Sequence, residues 1–138
     1  CRLAENLRMV LDWYAGGVGY DEAVARIHRQ WDEHSAHGWC HTISNAQIVA
    51  MGLLWSEGDF ETAITRAVWP GFDTDCNGAT VGSVMGMRLG AAALPAKWTD
   101  TLHDTLRTGL ASYHKVSISA TAGEMFDLFQ KARGAAPA

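Results

Sequence analysis

The sequence has few of the features that mark disulfide-rich, nucleic-acid-binding or membrane proteins. Its three cysteines, Cys1, Cys40 and Cys76, are an odd number without a C-x-x-C pair, which favours neither a disulfide framework nor a structural zinc site. The 11 Lys plus Arg residues form no basic stripe, and the net charge is −4. Apolar runs are too short for a transmembrane span. We therefore expect a cytoplasmic protein whose partners include no membrane and no nucleic acid.

Segments that alternate with period two and internal repeats are also lacking, which leaves the three-and-four spacing of helices. The 138 residues, 48% hydrophobic, are enough for one domain with a core. We predict an all-α, orthogonal multi-helix bundle over 1–134 and a frayed tail at 135–138. Predicted helices cover about 3–15, 22–31, 45–55, 60–69, 77–93, 99–110 and 121–133. Their predicted N-caps are Asp21, Ser44 or Asn45, Asp59, Thr99 and Thr121.

Four glycines, at positions 78, 82, 86 and 90, are spaced four residues apart along the fifth predicted helix. Each glycine costs about 1 kcal/mol relative to alanine in a helix interior, so the stripe indicates that something approaches this face closely. Another helix backbone or a ligand would satisfy that requirement, and close helix packing is the commoner use of such stripes.

Asp73 and Asp75 stand one residue apart just before this helix, in the stretch GFDTDCNG. In an extended loop their side chains would point to the same side, and two converging carboxylates favour a hard divalent cation. Thr74 and Asn77 would add further oxygen atoms. The alternative is that one aspartate caps the helix while the other is solvated.

Residues 41–98 resemble the C-terminal part of the ADP-ribosylglycohydrolase family, which includes dinitrogenase-reductase activating glycohydrolase and crystallin J1 relatives. The resemblance consists of G-D-F-x-x-A-I at 58–64, G-x-D-T-D-C-N-G-A at 71–79, the glycine-spaced helix, and Pro95-x-x-Trp98. His41 and Asn45 also belong to it, and we expect His41 to be a core or cap histidine.

The resemblance implies an all-α hydrolase that cleaves ADP-ribose from an acceptor with two Mg²⁺ or Mn²⁺ ions. It implies Asp73 and Asp75 as metal ligands. Cys76 occupies a position where the family usually has a threonine ligand, and its soft thiol suits Mg²⁺ poorly. Thr74, Asn77 and Gly78 are the corresponding substrate-binding candidates, with Gly78 at the start of the helix. The acceptor could be arginine, serine, a nucleic acid or a small metabolite.

Two other family motifs, Gly-Asp-x-x-Gly and Ser/Thr-Asp-Asp, are absent from the sequence. In the family they supply the remaining ligands and the catalytic acid, so the catalytic residues are expected elsewhere. We expect the chain to be a fragment with half of a site, inactive by itself, which pairs with an N-terminal half or a second copy. The alternative function is a non-catalytic, crystallin J1-like structural or interaction module.

Overall fold

A computed structural model describes residues 1–134 and confirms the all-α class. The helices are α1 (Arg2–Ala15), α2 (Tyr20–Gln30), α3 (Thr42–Leu54), α4 (Phe60–Val68), α5 (Thr74–Leu89), α6 (Ala96–Thr99) and α7 (Ile118–Gly134). Two short strands, β1 (Thr105–Arg107) and β2 (Lys115–Ser117), precede α7. The chain forms two compact units, Cys1–Ala93 and Leu94–Ala138. The frayed tail that the sequence predicts lies outside the described residues.

The first unit is built around α3, which packs against α1, α2, α4 and α5. Apolar residues at helical spacing on these elements supply the buried core, and α3 can contact four helices because it is apolar on nearly all sides. The fully buried hydrophobic side chains in this unit include Val10, Ala23, Ile27, Ile48, Met51, Ala63, Ala67 and Val81. Along residues 1–134, no helix combines the length and the apolar character of a bilayer span.

Part of the glycine stripe lets α5 approach α4 closely. A Cβ atom at Gly78 would lie 3.1 Å from Val68 Cγ2, and one at Gly82 would lie 3.6 Å from Ile64 Cδ1. A Cβ atom at Gly86 would meet nothing within 4 Å, and Gly90 ends the helix with φ of +81°. Close helix packing therefore accounts for the first half of the stripe and helix termination for its last member.

Several predicted helix starts are wrong by a few residues. The N-cap of α2 is Gly19 rather than Asp21, and that of α3 is His41 rather than Ser44 or Asn45. The cap predicted at Asp59 is confirmed, since its carboxylate accepts a 2.7 Å hydrogen bond from the Thr62 N–H. Helix α5 begins at Thr74, three residues before the predicted start.

In the second unit, the helix predicted over 99–110 is wrong. Its leucines, four residues apart, imitate a helical stripe, but His103 and Asp104 have φ of +48° and +49° and so leave the helical region. The chain instead forms an antiparallel hairpin in which Leu106 pairs with Val116. Helix α7 then starts at Ile118 rather than near Thr121.

Candidate functional site

The candidate site is the acidic cluster at the start of α5, formed by Asp73, Asp75 and Cys76. One ligand atom from each of the three side chains lies within 4.8 Å of the others, and among residues 1–134 no other group of three potential metal ligands is this compact. Asp73 is half-buried, whereas Asp75 and Cys76 are exposed. The convergence expected from the sequence is thus present in the fold.

The backbone that produces this convergence differs from the expected loop, because residues 74–76 already belong to the helix. Asp73 is the N-cap residue, with φ of −86° and ψ of 72°, and its carboxylate makes no capping hydrogen bond. Since an N-cap residue lies outside the helical spiral, its side chain can meet one from the first turn. An N-cap aspartate followed by a first-turn aspartate therefore converges without an extended loop.

The turn that presents Asp73 is conformationally restricted. Gly71 and Phe72 both have positive φ, +80° and +60°, which is uncommon for a bulky residue such as phenylalanine. The Glu33 carboxylate accepts a 3.2 Å hydrogen bond from the Phe72 N–H, and a Cβ atom at Gly71 would collide with that carboxylate. Left-handed residues of this kind persist where surrounding contacts enforce them, often at functional sites.

The ring of Phe72 fixes the same turn from the core side. Phe72 is 8% exposed, and its ring centroid lies 5.1 Å from that of His28. The Nε2 atom of His28 is 3.0 Å from the Pro70 carbonyl oxygen. Contacts from α2 and the following loop therefore hold both ends of the Pro70–Phe72 turn.

Asn45 connects the start of α3 to the start of α5. Its Oδ1 atom accepts hydrogen bonds from the Asp73 N–H (3.3 Å) and from Asn77 Nδ2 (2.8 Å). Its Nδ2 atom donates to the carbonyl oxygens of Trp39 (3.1 Å) and His41 (3.2 Å). Asn45 thus positions the backbone of Asp73, a role that sequence reasoning missed although the H-x-x-x-N spacing drew attention to it.

His41 is a cap histidine, as expected. Its Nδ1 atom accepts a 3.2 Å hydrogen bond from the Ile43 N–H at the start of α3. The imidazole stacks on Trp31 with a centroid distance of 4.5 Å, and Trp31 Nε1 donates to Gln47 Oε1 at 2.9 Å. His41 therefore orders the helix that carries Asn45.

The structure brings two of the three substrate-binding candidates to the surface near the cluster. Thr74 is half-buried in the first turn of α5, and Gly78 is half-buried where α5 contacts α4. Asn77 is only 2% exposed and uses its amide nitrogen to bond Asn45. Its observed contact is therefore with the protein interior.

The electrostatic environment of the cluster changes the pKa values of Asp75 and of the Cys76 thiol. The pKa of Asp75 lies below its ordinary value, chiefly because of a hydrogen bond with the Asp73 side chain and then because the backbone N–H groups of Cys76 and Asp75 interact with it. A hydrogen bond with Asp73 and the negative charge of both aspartates raise the pKa of the Cys76 thiol. Since the thiolate is the form that binds metals, this environment does not favour Cys76 as a ligand.

A sequence model of the ADP-ribosylglycohydrolase family matches residues 2–135. The chain belongs to the ADP-ribosylglycohydrolase family. This confirms the resemblance found in the sequence, and it places the acidic cluster at the start of α5 in a glycohydrolase-type protein. No curated protein and no solved structure matches this member of the family.

The donor set of this family member fits a hard divalent cation in part. Two carboxylates converge at a surface that water can reach, and oxygen ligands are those that Mg²⁺ and Mn²⁺ prefer. The soft thiol of Cys76 does not fit such an ion. Asp73 and Asp75 alone leave most coordination positions of one ion to other ligands, and two ions would need still more.

Proposed function

We propose that this protein takes part in the hydrolysis of an ADP-ribosyl bond, with Asp73 and Asp75 as ligands of two Mg²⁺ or Mn²⁺ ions. The observation that carries the proposal is the convergence of these two carboxylates at the start of α5 in an ADP-ribosylglycohydrolase family member. When bound, such ions hold hydroxyl groups and water and stabilise charge as the anomeric bond breaks.

The protein's own contribution is to fix the two carboxylates before a ligand arrives. Asn45 holds the Asp73 backbone, and Glu33 holds that of Phe72. Preorganisation of this kind raises affinity because less conformational freedom is lost on binding. We propose that Thr74 faces the substrate, while Asn77 supports the site through its hydrogen bond to Asn45 and Gly78 allows the close packing of α5 on α4.

Two carboxylates are too few for a complete dinuclear site, and residues 1–134 contain no second group of three potential ligands that converge in this way. We therefore propose that the remaining ligands and the catalytic acid come from another polypeptide segment or from a second copy of the chain. The incomplete ligand set also supports the alternative function, which is a non-catalytic structural or interaction module. The two functions differ in whether ADP-ribose is released.

The test is release of ADP-ribose from ADP-ribosylated arginine and serine peptides, with MgCl₂, with MnCl₂ and with EDTA. We use the term complete enzyme for the chain together with the segment or second copy that supplies the remaining ligands, and we expect it to release ADP-ribose only when metal is present. The Asp75→Asn variant should lose that release, because an uncharged amide oxygen binds a divalent cation more weakly than a carboxylate does. Asp12→Asn, an exposed change on α1, is the matched control and should retain activity.

Calorimetric titration with MnCl₂ separates the two functions further. For the 138-residue chain we expect weak Mn²⁺ binding that Asp75→Asn reduces and Asp12→Asn does not. A complete enzyme that binds Mn²⁺ through Asp75 but never releases ADP-ribose would support the module. Full turnover by the Asp75→Asn enzyme would show that the ligand assignment is wrong.

A further inference from the structure

The β1–β2 hairpin of the second unit places two cations directly opposite each other. Arg107 and Lys115 are paired residues in the antiparallel register, so their side chains leave the same face of the hairpin. Like charges in this arrangement repel each other and destabilise the strand pair. Neither side chain forms a salt bridge with a carboxylate of the described chain. The hairpin thus has a positive charge pair with no anionic partner among residues 1–134.

These two side chains line a surface cavity together with polar groups. The cavity has a volume of about 510 Å³ and is lined by Thr101, Leu102, His103, Thr105, Arg107 and Lys115. Thr105 lies two residues before Arg107 in β1, and the alternation of a strand puts both on the cavity face. Among residues 1–134, no carboxylate lines this cavity, although the whole chain has a net charge of −4.

The adjacent acidic residue is engaged elsewhere. Asp104 Oδ2 accepts hydrogen bonds from the hydroxyls of Ser117 (2.6 Å) and Ser119 (2.8 Å), and its Oδ1 accepts one from the Ser119 N–H (2.8 Å). These bonds draw the carboxylate toward the start of α7. Asp104 therefore does not serve as the counter-ion for Arg107 and Lys115.

The backbone before β1 restricts the position of His103 on the cavity wall. His103 and Asp104 are consecutive residues in the left-handed region, and the His103 carbonyl oxygen accepts a 3.0 Å hydrogen bond from the Thr105 hydroxyl. Restricted non-glycine residues of this type cluster at ligand-binding sites. The imidazole, the guanidinium and the ammonium together offer the donors that a phosphoryl group accepts.

We propose that this cavity is an anion site for a phosphoryl group, either a free phosphate or the phosphate chain of a nucleotide. Arg107 would contact two oxygens of the anion through its planar fork, and Lys115 would contribute a point charge from the opposite strand. Bound phosphate would turn the repulsion between the strands into attraction. This site does not depend on the acidic cluster of α5, and it needs no metal ion.

Inorganic pyrophosphate is the probe, titrated calorimetrically into the 138-residue chain at low ionic strength with EDTA present, so that metal-mediated binding is removed. We expect Arg107→Gln and Lys115→Gln each to weaken binding about tenfold or more. Lys131→Gln on α7 removes the same charge outside the cavity and should change the affinity less than about twofold. Inorganic phosphate and ADP, run in parallel, show whether one phosphoryl group suffices or a nucleotide is preferred.

Thermal unfolding is a second measurement, in which Arg107→Gln should not show the loss that it shows in pyrophosphate affinity. Removal of one facing cation relieves repulsion, so Arg107→Gln should have a Tm no lower than that of the unmodified chain while it loses pyrophosphate affinity. Pyrophosphate should raise the Tm of the unmodified chain more than sodium chloride of equal ionic strength, and it should not do so for either variant.

Equal pyrophosphate affinity in the unmodified chain, Arg107→Gln and Lys115→Gln would overturn the proposal. So would an equal loss in Lys131→Gln, since binding would then follow total charge. If circular dichroism shows that Arg107→Gln does not fold, the proposal is tested by the pyrophosphate affinity of Lys115→Gln and by the Tm shift of the unmodified chain. Absence of a pyrophosphate-specific Tm shift would count against the site.

Discussion

At the scale of single residues, the site depends on polar contacts that link distant segments. Asn45 and Glu33 each bind a backbone N–H of the turn that carries Asp73, across 28 and 39 residues of sequence. Neither contact follows a local sequence rule, which is why the sequence identified the aspartates but not their supports. A candidate ligand can be recognised from a sequence motif, whereas the residues that hold it in place depend on the tertiary fold.

Asn45→Ala should destabilise the first unit by about 1–3 kcal/mol, because the buried Asn77 amide would lose its hydrogen-bond acceptor. Asn45→Asp keeps that acceptor but loses two donated bonds and adds charge beside Asp73, so it should also destabilise. Urea unfolding measures both effects. Asp12→Asn, an exposed change on α1, is the control and should change stability by less than about 0.5 kcal/mol. Unchanged stability of Asn45→Ala would contradict the positioning role.

Cys76→Thr should strengthen binding of Mg²⁺ several-fold and weaken binding of Cd²⁺, because a hydroxyl suits a hard ion and a thiol a soft one. Competition titrations with the two metals measure the ratio of affinities. Cys40→Thr replaces another exposed thiol and should leave the ratio unchanged. If the ratio is also unchanged by Cys76→Thr, the side chain at position 76 is not near the bound ion.

At the scale of secondary structure, elements whose ends are set by local contacts were predicted well. Helix α4 starts after the side-chain cap of Asp59, and α1 follows a clear apolar periodicity, so their bounds agree with the sequence within about two residues. Helix α7 starts earlier than predicted because its first turn is capped from outside. The Ile118 and Ser119 N–H groups donate to the backbone and side chain of Asp104.

The hydrogen bonds from Ser117 and Ser119 hold the pKa of Asp104 below its ordinary value. A carboxylate with a lowered folded-state pKa stabilises the fold above its unfolded pKa of about 4, and this contribution is lost as the pH falls through the folded value. Asp104→Asn should therefore flatten the decline of Tm between about pH 5 and pH 2. Asp100→Asn is the matched control. An identical pH profile for Asp104→Asn and the unmodified chain would refute this linkage.

At the scale of the whole molecule, the two units differ in how much apolar surface they cover. The first unit has a buried core, whereas α7 contains no buried residue and exposes Met125, Phe126, Leu128 and Phe129 by 56–67% each. Exposed apolar surface on this scale favours association. The charge pattern of α7 suits a second copy of itself, because acidic residues (Glu124, Asp127) precede basic ones (Lys131, Arg133) and two antiparallel helices would pair them.

We therefore predict that the 138-residue chain self-associates through α7 in dilute buffer. The sequence led to the expectation of a second copy as partner, but it did not point to this helix. Phe129→Glu should shift the population toward monomer, as measured by light scattering at several protein concentrations. Gln130→Glu adds the same charge one residue away and is the control, for which we expect a smaller shift. A concentration-independent monomer in the unmodified chain would exclude association by this helix.

Asp104 links the turn before β1, strand β2 and the start of α7, so these three parts of the second unit should open together. Its carbonyl oxygen accepts a hydrogen bond from the Ile118 N–H, and its carboxylate accepts hydrogen bonds from the Ser119 N–H and from the Ser117 hydroxyl of β2. Local opening of a folded protein proceeds in cooperative groups that share such contacts. The amide protons of Ile118 and Ser119 should thus exchange with solvent deuterium at the rate at which the hairpin separates, and not at the rate at which an ordinary helix end frays.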